Sequence, residues 1–500
     1  MSYITTPIYY VNGDPHIGSA YTTLVADVFA RYSKYKGEDT FFLTGTDEHG
    51  AKIAEAAAKA GKEPQAFTDE ISAKFFAAWK ELNIQPDGFI RTTNPKHKAY
   101  VQKFLQDLYD KGHIYKGEYK GWYCTGCEEF KTETQIGENN TCPIHLTPLN
   151  EVAEEAYLFK LSAFETQIKE ALNADTFKVS PSSRKNEVLG FIEHEGLRDV
   201  AISRKNVAWG VPLPWDESHT VYVWVDALLN YLSAADVNGP EFKSGKRPEF
   251  PPTLQIIGKD ILRFHALIWP AIILAADLPL PKELFVHGYF TSGGQKMSKS
   301  LGNVITPGEL IGRYGVDATR WLLATAVPFG ADGDLTLDRL DERFNSDLAN
   351  NFGNLFSRVA SMILRYREGR VPDGIEVPLL HIEKTRDFLD AAYESADLTK
   401  VTDTLRLHAD NFNKYIEDEK PWALAKTDQK KLDEVLANLA ENVFVLACFL
   451  APFLPEATDK ILAGFGTSVS QVDYATLGKA NHTAGKTIPP LEPLFPRLAA

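Results

Sequence analysis

Cysteine is scarce in this sequence, with four residues in 500, and basic side chains are outnumbered, giving a formal net charge of −14. That charge excludes a protein that coats nucleic acid nonspecifically, because neutralising phosphates takes a basic surface, while leaving room for a locally basic face. No apolar run approaches the roughly 20 residues that a bilayer-crossing helix needs, and Met1-Ser2-Tyr3-Ile4 lacks a basic leader. The expectation is a cytoplasmic protein with no membrane partner. Internal repeats and low-complexity tracts are also missing, which excludes solenoid and disordered classes. The few cysteines are unevenly placed. Cys448 sits in the apolar run Val443 to Leu450 and reads as core, whereas Cys124, Cys127 and Cys142 share one short window. Without a secretory signal, such a cluster points to metal rather than to disulfides.

What is present is an ordinary globular composition, 44% apolar and 24% charged, in a chain long enough for two to four domains. Tyr3 to Tyr10 reads as a buried strand, followed by a turn and a helix that carries Ile17, Ala20, Leu24, Val28 and Tyr32 at helical spacing and ends at Gly37. With a second strand over Thr40 to Gly45, this is the strand–helix–strand unit of a doubly wound parallel sheet. Helices are expected from Pro64 to Leu82 and from Pro95 to Lys111, the latter with Asn94 as cap and Gly112 beyond its end. From 115 to 214 the pattern breaks into short, turn-rich pieces that read as an insertion. The α/β pattern resumes with strands at Thr220 to Val225, Leu254 to Gly258 and Leu284 to Gly288. Beyond Leu335 only helices are expected, including Asp338 to Arg367 and Leu432 to Leu450, and the Pro-rich end from Ile488 to Pro496 reads as a strap on the body.

Three groups of residues carry chemistry. Pro15-His16-Ile17-Gly18-Ser19 lies where the first strand meets its helix, a place suited to a bound anion, although a His there also serves as a simple helix cap. Gly293-Gly294-Gln295-Lys296-Met297-Ser298-Lys299-Ser300 sets two lysines and hydroxyls on a glycine-flanked loop suited to phosphates, without the spacing of a Walker loop. Cys124-x-x-Cys127 and Cys142-x-x-His145 offer four ligands as two knuckles, the spacing of one closed, structural zinc site.

The first two groups together resemble the HIGH and KMSKS signatures of class I aminoacyl-tRNA synthetases, with Ser19 where the first motif usually ends in His. The text around them resembles the methionyl-tRNA synthetases in particular: Tyr9-Tyr10-Val11-Asn12-Gly13, Thr44-Gly45-Thr46-Asp47-Glu48-His49-Gly50, Tyr222-Val223-Trp224-Val225-Asp226-Ala227 and Gly258-Lys259-Asp260-Ile261-Leu262-Arg263-Phe264-His265. The resemblance implies that methionine is activated with ATP and Mg2+ and then joined to its initiator and elongator tRNAs. His16, Lys296 and Lys299 would be catalytic; His16, Gly18, Ser19, Asp260, Lys296, Ser298 and Lys299 would hold ATP. Asp47 would take the substrate ammonium, and Ile8, Tyr10, Trp224, Ala227, Tyr231, Ile261 and His265 the thioether, a soft group that sits well against aromatic rings. Read without the resemblance, Trp224 and Tyr231 are core, and for Asp47 a turn or cap after a strand stands as the alternative role.

Asn350, Asn354 and Arg358 recur at i, i+4 and i+8 on one helix face and, like Trp422 after Pro421, match the family's anticodon-binding positions. The implied architecture is a Rossmann-type catalytic domain in two halves, 1–114 and 215–290, split by a zinc-knuckle insertion at 115–214. A loop and linker region would follow at 291–335 and an α-helical anticodon-binding domain at 336–500. No further module is evident, so a monomer is expected. A synthetase for another apolar amino acid, a noncatalytic relative and an unrelated nucleotidyltransferase remain as rival readings, and an amino-acid panel separates them.

Overall fold

The computed structural model describes the chain except for residues 125–128, 132–135, 144–146, 206, 237–239, 293–294, 297–304, 374–381, 491 and 499–500, and except for the side chains of 119–120, 129–130, 292, 295–296 and 383. Six described strands form one parallel sheet: β1 (Ser2–Tyr10), β2 (Thr40–Asp47), β3 (Gly88–Arg91), β4 (Lys178–Ser180), β5 (Leu254–Gly258) and β6 (Glu283–His287), in the order β3-β2-β1-β5-β6-β4. Both faces of the sheet are buried, as parallel sheets require, and the strand alternation divides the apolar side chains between them. Ile4 and Phe42 point into a core shared with the helical C-terminal half, while Tyr3, Phe41 and Leu43 point into a second core. Pro7 cannot donate to the ladder, and the register of β1 on β2 shifts between Thr5 and Ile8. Gly45 is required where β2 passes β3, because a Cβ there would stand 2.0 Å from the Ile90 carbonyl oxygen.

Helix Ile17–Tyr35 follows β1, and Gly37 beyond it takes the left-handed conformation (φ +84°) expected of a helix-ending glycine. Asn94 caps helix Pro95–Asp110 by accepting from the Lys96 N–H at 2.9 Å. Two expectations are corrected. Thr220 to Val225 is not a strand of the parallel sheet: Asp216–Val221 pairs in a small antiparallel sheet, and Val223–Leu228 is helical. The run is β-branched and aromatic throughout, so local pattern could not reveal that tertiary burial bends it into a helix. Nor is 115–214 wholly an insertion, since β4 pairs with β6 in the parallel sheet. At three residues, β4 is too short to show a period. Around it, Ile114–Cys124, Glu129–Lys131, Asn150–Phe159 and Val200–Ala201 make a separate four-stranded sheet.

The C-terminal half is helical, built on Asn354–Arg367, Leu398–Glu419 and Gln429–Leu450. Phe344–Gly353, ahead of the first of these, winds as a π-helix. The Pro-rich strap packs here: Phe495 is buried, and Arg497 Nε donates to Asn350 Oδ1 at 2.8 Å. Arg320, fully buried, ties the halves together. Its guanidinium donates to Asp27 Oδ2 at 2.7 Å in the first helix, to the Leu82 and Asn83 carbonyls, and to the Pro452 and Phe453 carbonyls of the bundle. No helix among the described residues is long and apolar enough to cross a membrane.

Candidate active site

Between β1 and β5 the strand order reverses, and in a doubly wound sheet the crevice beyond the carboxyl ends of such strands is where ligands bind. On one wall, His16 caps the first helix. Its Nδ1 accepts from the Gly18 N–H at 3.1 Å, fixing the imidazole over the helix start, and a Cβ at position 18 would lie 3.0 Å from the ring. Ser19 completes the cap, accepting from the His16 N–H at 3.2 Å and donating to the His16 carbonyl at 2.8 Å. The buried Ser19 hydroxyl is therefore engaged with His16 on both sides, which places it directly beside the candidate phosphate site. One turn on, the Thr22 hydroxyl meets His287 Nε2 at 2.8 Å and binds the helix to the end of β6. His287 Nδ1 donates to the Gly288 carbonyl at 2.8 Å, and burial lowers the basicity of this imidazole.

Opposite, β5 ends at Gly258 and Asp260 follows in the tight turn Lys259–Ile261. Only a glycine at 258 lets that carboxylate fold back over the strand end, since a Cβ there would approach Asp260 Oδ1 to 2.7 Å. Burial raises the Tyr289 phenol well above its ordinary range, and the carboxylate and hydrogen bond of Asp260 add to the effect. Lys296 lies in the short strand Gln295–Lys296; its side chain, Ser298 and Lys299 lie outside the described residues.

Deeper in, Phe264–Ile268 takes a wide π-turn, a geometry common at functional sites. It sets His265 against Tyr231, with Nδ1 donating to the Ile261 carbonyl at 3.1 Å and Nε2 accepting from the Tyr231 hydroxyl at 2.9 Å. Burial pushes the imidazole down to about 4, so it is neutral at physiological pH. Trp224 stacks on Phe264 at 3.9 Å, and Ile8, Tyr10, Trp224 and Ile261 pack on the core that contains Tyr231. Ala227, on the same short helix as Trp224, adds a small buried face. Asp47 closes β2, in register with Tyr10, and its carbonyl accepts from the Val11 N–H at 3.2 Å. Ile8, Tyr10, Trp224, Tyr231 and Ile261 thus belong to one apolar cluster, the candidate slot, and Asp47 stands beside it through its register with Tyr10.

Beneath the slot lies a buried polar network to which the sequence reading assigned no role. Asp226 accepts from His49 Nδ1 at 2.7 Å and pairs with His97 Nε2 at 3.1 Å. Burial opposes its ionisation, yet the two imidazoles hold its carboxyl below the usual carboxylate range. Glu48, fully buried, receives Arg91 at 2.6 and 2.9 Å as well as the Thr46 and Thr93 hydroxyls. The available signal was a charged residue within an apolar run, as Asp226 stands in Val223 to Leu228.

Of the knuckle residues, Cys124 and Cys142 are both buried and share one small cluster with Leu149, flanked by Trp122 and Ile136; Cys127 and His145 lie outside the described residues. Among the described residues no group of three or more His, Cys, Asp or Glu is placed to hold a metal. In the bundle, Asn350, Asn354 and Arg358 do come together, lining a groove of about 520 Å³ with Asn413, Lys414 and Glu417. Arg358 pairs with Glu417 at 2.6 Å, and Trp422, at 43% exposure, stands out from a short helix of its own, Pro421–Thr427.

Residues 2–149 and 139–360 match the family model of the class I tRNA synthetases (M), and 379–498 match that of the anticodon binding domain of methionyl tRNA ligase. A methionine–tRNA ligase of Thermotoga maritima is 43% identical over all of this chain and 80% of its own length. One from Thermosynechococcus vestitus is 43% identical over 93% of this chain and 90% of its own. The structure of Mycobacterium tuberculosis methionyl-tRNA synthetase in complex with methionyl-adenylate superposes with a TM-score of 0.93 at 36% identity, over 99% of both chains.

Proposed function

The chain belongs to the methionine–tRNA ligases, class I aminoacyl-tRNA synthetases, and from that premise we propose how its own residues divide the work. The methionine carboxylate attacks the α-phosphorus of ATP in line, pyrophosphate leaves, and the methionyl group then passes to the terminal adenosine of the tRNA. No protein nucleophile takes part, so the rate comes from positioning and from meeting charge as it develops. His16 and the positive end of its helix face the phosphates, and Ser19 acts through His16 by holding the cap. Lys296 and Lys299 meet the departing pyrophosphate, with Gly18 and Ser298 on the phosphates and Asp260 on the ribose side; Mg2+ bound with ATP would add to the neutralisation of its charge. Asp47 takes the ammonium. Ile8, Tyr10, Trp224, Ala227, Tyr231, Ile261 and neutral His265 take the thioether.

What supports this reading is that the capped helix start follows β1, Asp47 ends the neighbouring β2, and His265, bonded to Tyr231, follows β5, on the strands that flank the sheet's reversal point. Pyrophosphate exchange with ATP across a panel of amino acids tests it. Methionine should drive exchange, and exchange driven by another amino acid with methionine inert would overturn it. Asn350, Asn354, Arg358 and Trp422 would read the anticodon of the initiator and elongator tRNAs. Zinc would be held by Cys124, Cys127, Cys142 and His145, and the joint burial of Cys124 and Cys142 fits such a site. A closed four-ligand set leaves no open position, so its contribution is to order the insertion. Metal analysis of Cys142→Ser should show zinc lost; a stoichiometrically zinc-free wild type after metal-replete expression would refute the site. A cytoplasmic monomer completes the proposal.

A further inference from the structure

Methionine must be held at two points, and the proposed groups for them stand on different elements. Asp47 ends β2, whereas Trp224 and Ala227 belong to the helix Val223–Leu228. One side chain bridges them. Asp226 lies between Trp224 and Ala227 in sequence, at 1% exposure, and its two oxygens go to different parts of the fold. Oδ2 takes His49 Nδ1 at 2.7 Å, two residues beyond Asp47; Oδ1 takes His97 Nε2 at 3.1 Å, from helix Pro95–Asp110. The network continues back into the slot. His97 Nδ1 meets Ser233 Oγ at 2.7 Å, Ser233 donates to the Asn230 carbonyl at 3.2 Å, and Asn230 Nδ2 donates to the Ala227 carbonyl at 2.6 Å. A charged group excluded from water and bonded on both oxygens is a stiff link, because any slip leaves a donor or acceptor unmet.

We propose that Asp226, clamped by His49 and His97, is a positioning residue that fixes the span between the ammonium site at Asp47 and the thioether slot at Trp224 and Ala227, and so sets the side-chain length the enzyme accepts. This rests on the assignment of those residues to methionine. Asp226 touches no reacting atom; it acts through the two walls it joins. Loosening it widens the tolerance for length and weakens methionine binding, leaving the ATP side intact.

The test is pyrophosphate exchange with methionine and with ethionine, one methylene longer, for Asp226→Asn, His97→Ala, His97→Gln and Trp224→Ala. Asp226→Asn and His97→Ala should raise the KM for methionine about tenfold and shrink the methionine-over-ethionine preference in kcat/KM, with kcat and the KM for ATP within about twofold. His97→Gln keeps a donor near the Nε2 position and should restore most of both. If Asp226→Asn does not fold, His97→Ala against His97→Gln gives the same comparison. Lower stability or kcat in these variants, with methionine KM and preference unmoved while Trp224→Ala raises KM, would leave Asp226 a purely structural residue and overturn the proposal. An unchanged methionine KM in Trp224→Ala would instead show that the slot itself is wrongly assigned, and the proposal would fall with it.

Discussion

At the sheet the polar side chains are sealed in and answer one another: Glu48, His49, His97 and Asp226 are all within 3% exposure and bonded to protein partners. In the groove of the bundle the opposite holds. Arg358 and Glu417 pair with side chains 31% and 59% exposed, and Asn354 makes a long contact with Asn413, at 3.5 Å. The difference follows from the ligands proposed for each. A small substrate of fixed length is selected by a cavity that does not yield, and buried, fully bonded polar groups supply that stiffness. A flexible RNA loop is met by side chains that exchange one partner for another at little cost. On the proposed assignments, rigidity stands where size would be discriminated and adaptability where base edges would be met.

The comparison breaks most visibly at Arg320, which extends the sealed style to the seam between the halves. All five of its N–H donors have acceptors, one of them the buried Asp27 carboxylate. Burial opposes ionisation of Asp27, but Arg320 and Arg31 hold it below the usual carboxylate range. Asp27→Ala leaves the guanidinium buried without its counter-charge, and the expected loss is about 3–5 kcal/mol of stability by denaturant unfolding. A loss no larger than that of an exposed pair would show that water reaches this seam.

Next in size is the cap. His16→Ala removes the group proposed to face the phosphates and should slow adenylate formation about 10²–10³-fold, the usual effect of deleting one transition-state donor. Ser19→Ala removes the bonds to the His16 N–H and carbonyl but not the imidazole, and a lost cap is worth about 0.5–2 kcal/mol, so roughly a thirtyfold slowing is the ceiling. Lys299→Ala should slow the same step and leave methionine binding unchanged. Pre-steady-state adenylate formation at saturating methionine and ATP measures all three. A larger defect in Ser19→Ala than in His16→Ala would reverse the roles.

Trp422→Ala sharpens the contrast from the other side. Stacking on an unpaired base is worth about 1–3 kcal/mol, so charging should fall roughly tenfold to hundredfold while methionine-dependent exchange is untouched. Equal losses in both assays would make Trp422 a folding residue, despite its 43% exposure.

How much of this was legible in the sequence divides along the same line. The capped helix, Gly37, Asn94 and strands β1, β2, β5 and β6 follow from local signals, because turn chemistry and strand alternation are written in adjacent residues. What escaped depends on partners far away in the chain. β4 joins the sheet by pairing with β6 more than 100 residues later, and the helix at Val223 exists because its surroundings bury it. Asp226 and His49 stood inside quoted motifs, yet their bond spans 177 positions. His97 and Arg320 carried no local signal. In the bundle, i, i+4, i+8 spacing correctly grouped Asn350, Asn354 and Arg358, but not the strap that brings Arg497 to Asn350. Spacing finds the face of a helix; it does not find what later chain lies on it.

The smallest effect is expected at Glu417 and tests whether the groove is adaptable in the sense argued above. In the free protein Arg358 is held by Glu417 at 2.6 Å, a pair exposed enough to contribute about 0–1 kcal/mol to stability. A base edge or phosphate that Arg358 is to meet competes with that carboxylate for the guanidinium, so the pair is a small standing cost on tRNA binding. Glu417→Gln keeps the shape and removes the charge, and should lower the KM for tRNA by up to about fivefold, with stability and methionine-dependent exchange unchanged. Arg358→Ala should raise it, and in Arg358→Ala the Glu417 substitution should lose its effect, because the benefit runs through the freed guanidinium. Charging assays on the two single variants and the double variant measure the coupling. A weaker tRNA interaction in Glu417→Gln would mean that this carboxylate itself accepts from a base, and the groove would then be as pre-set as the slot in the sheet.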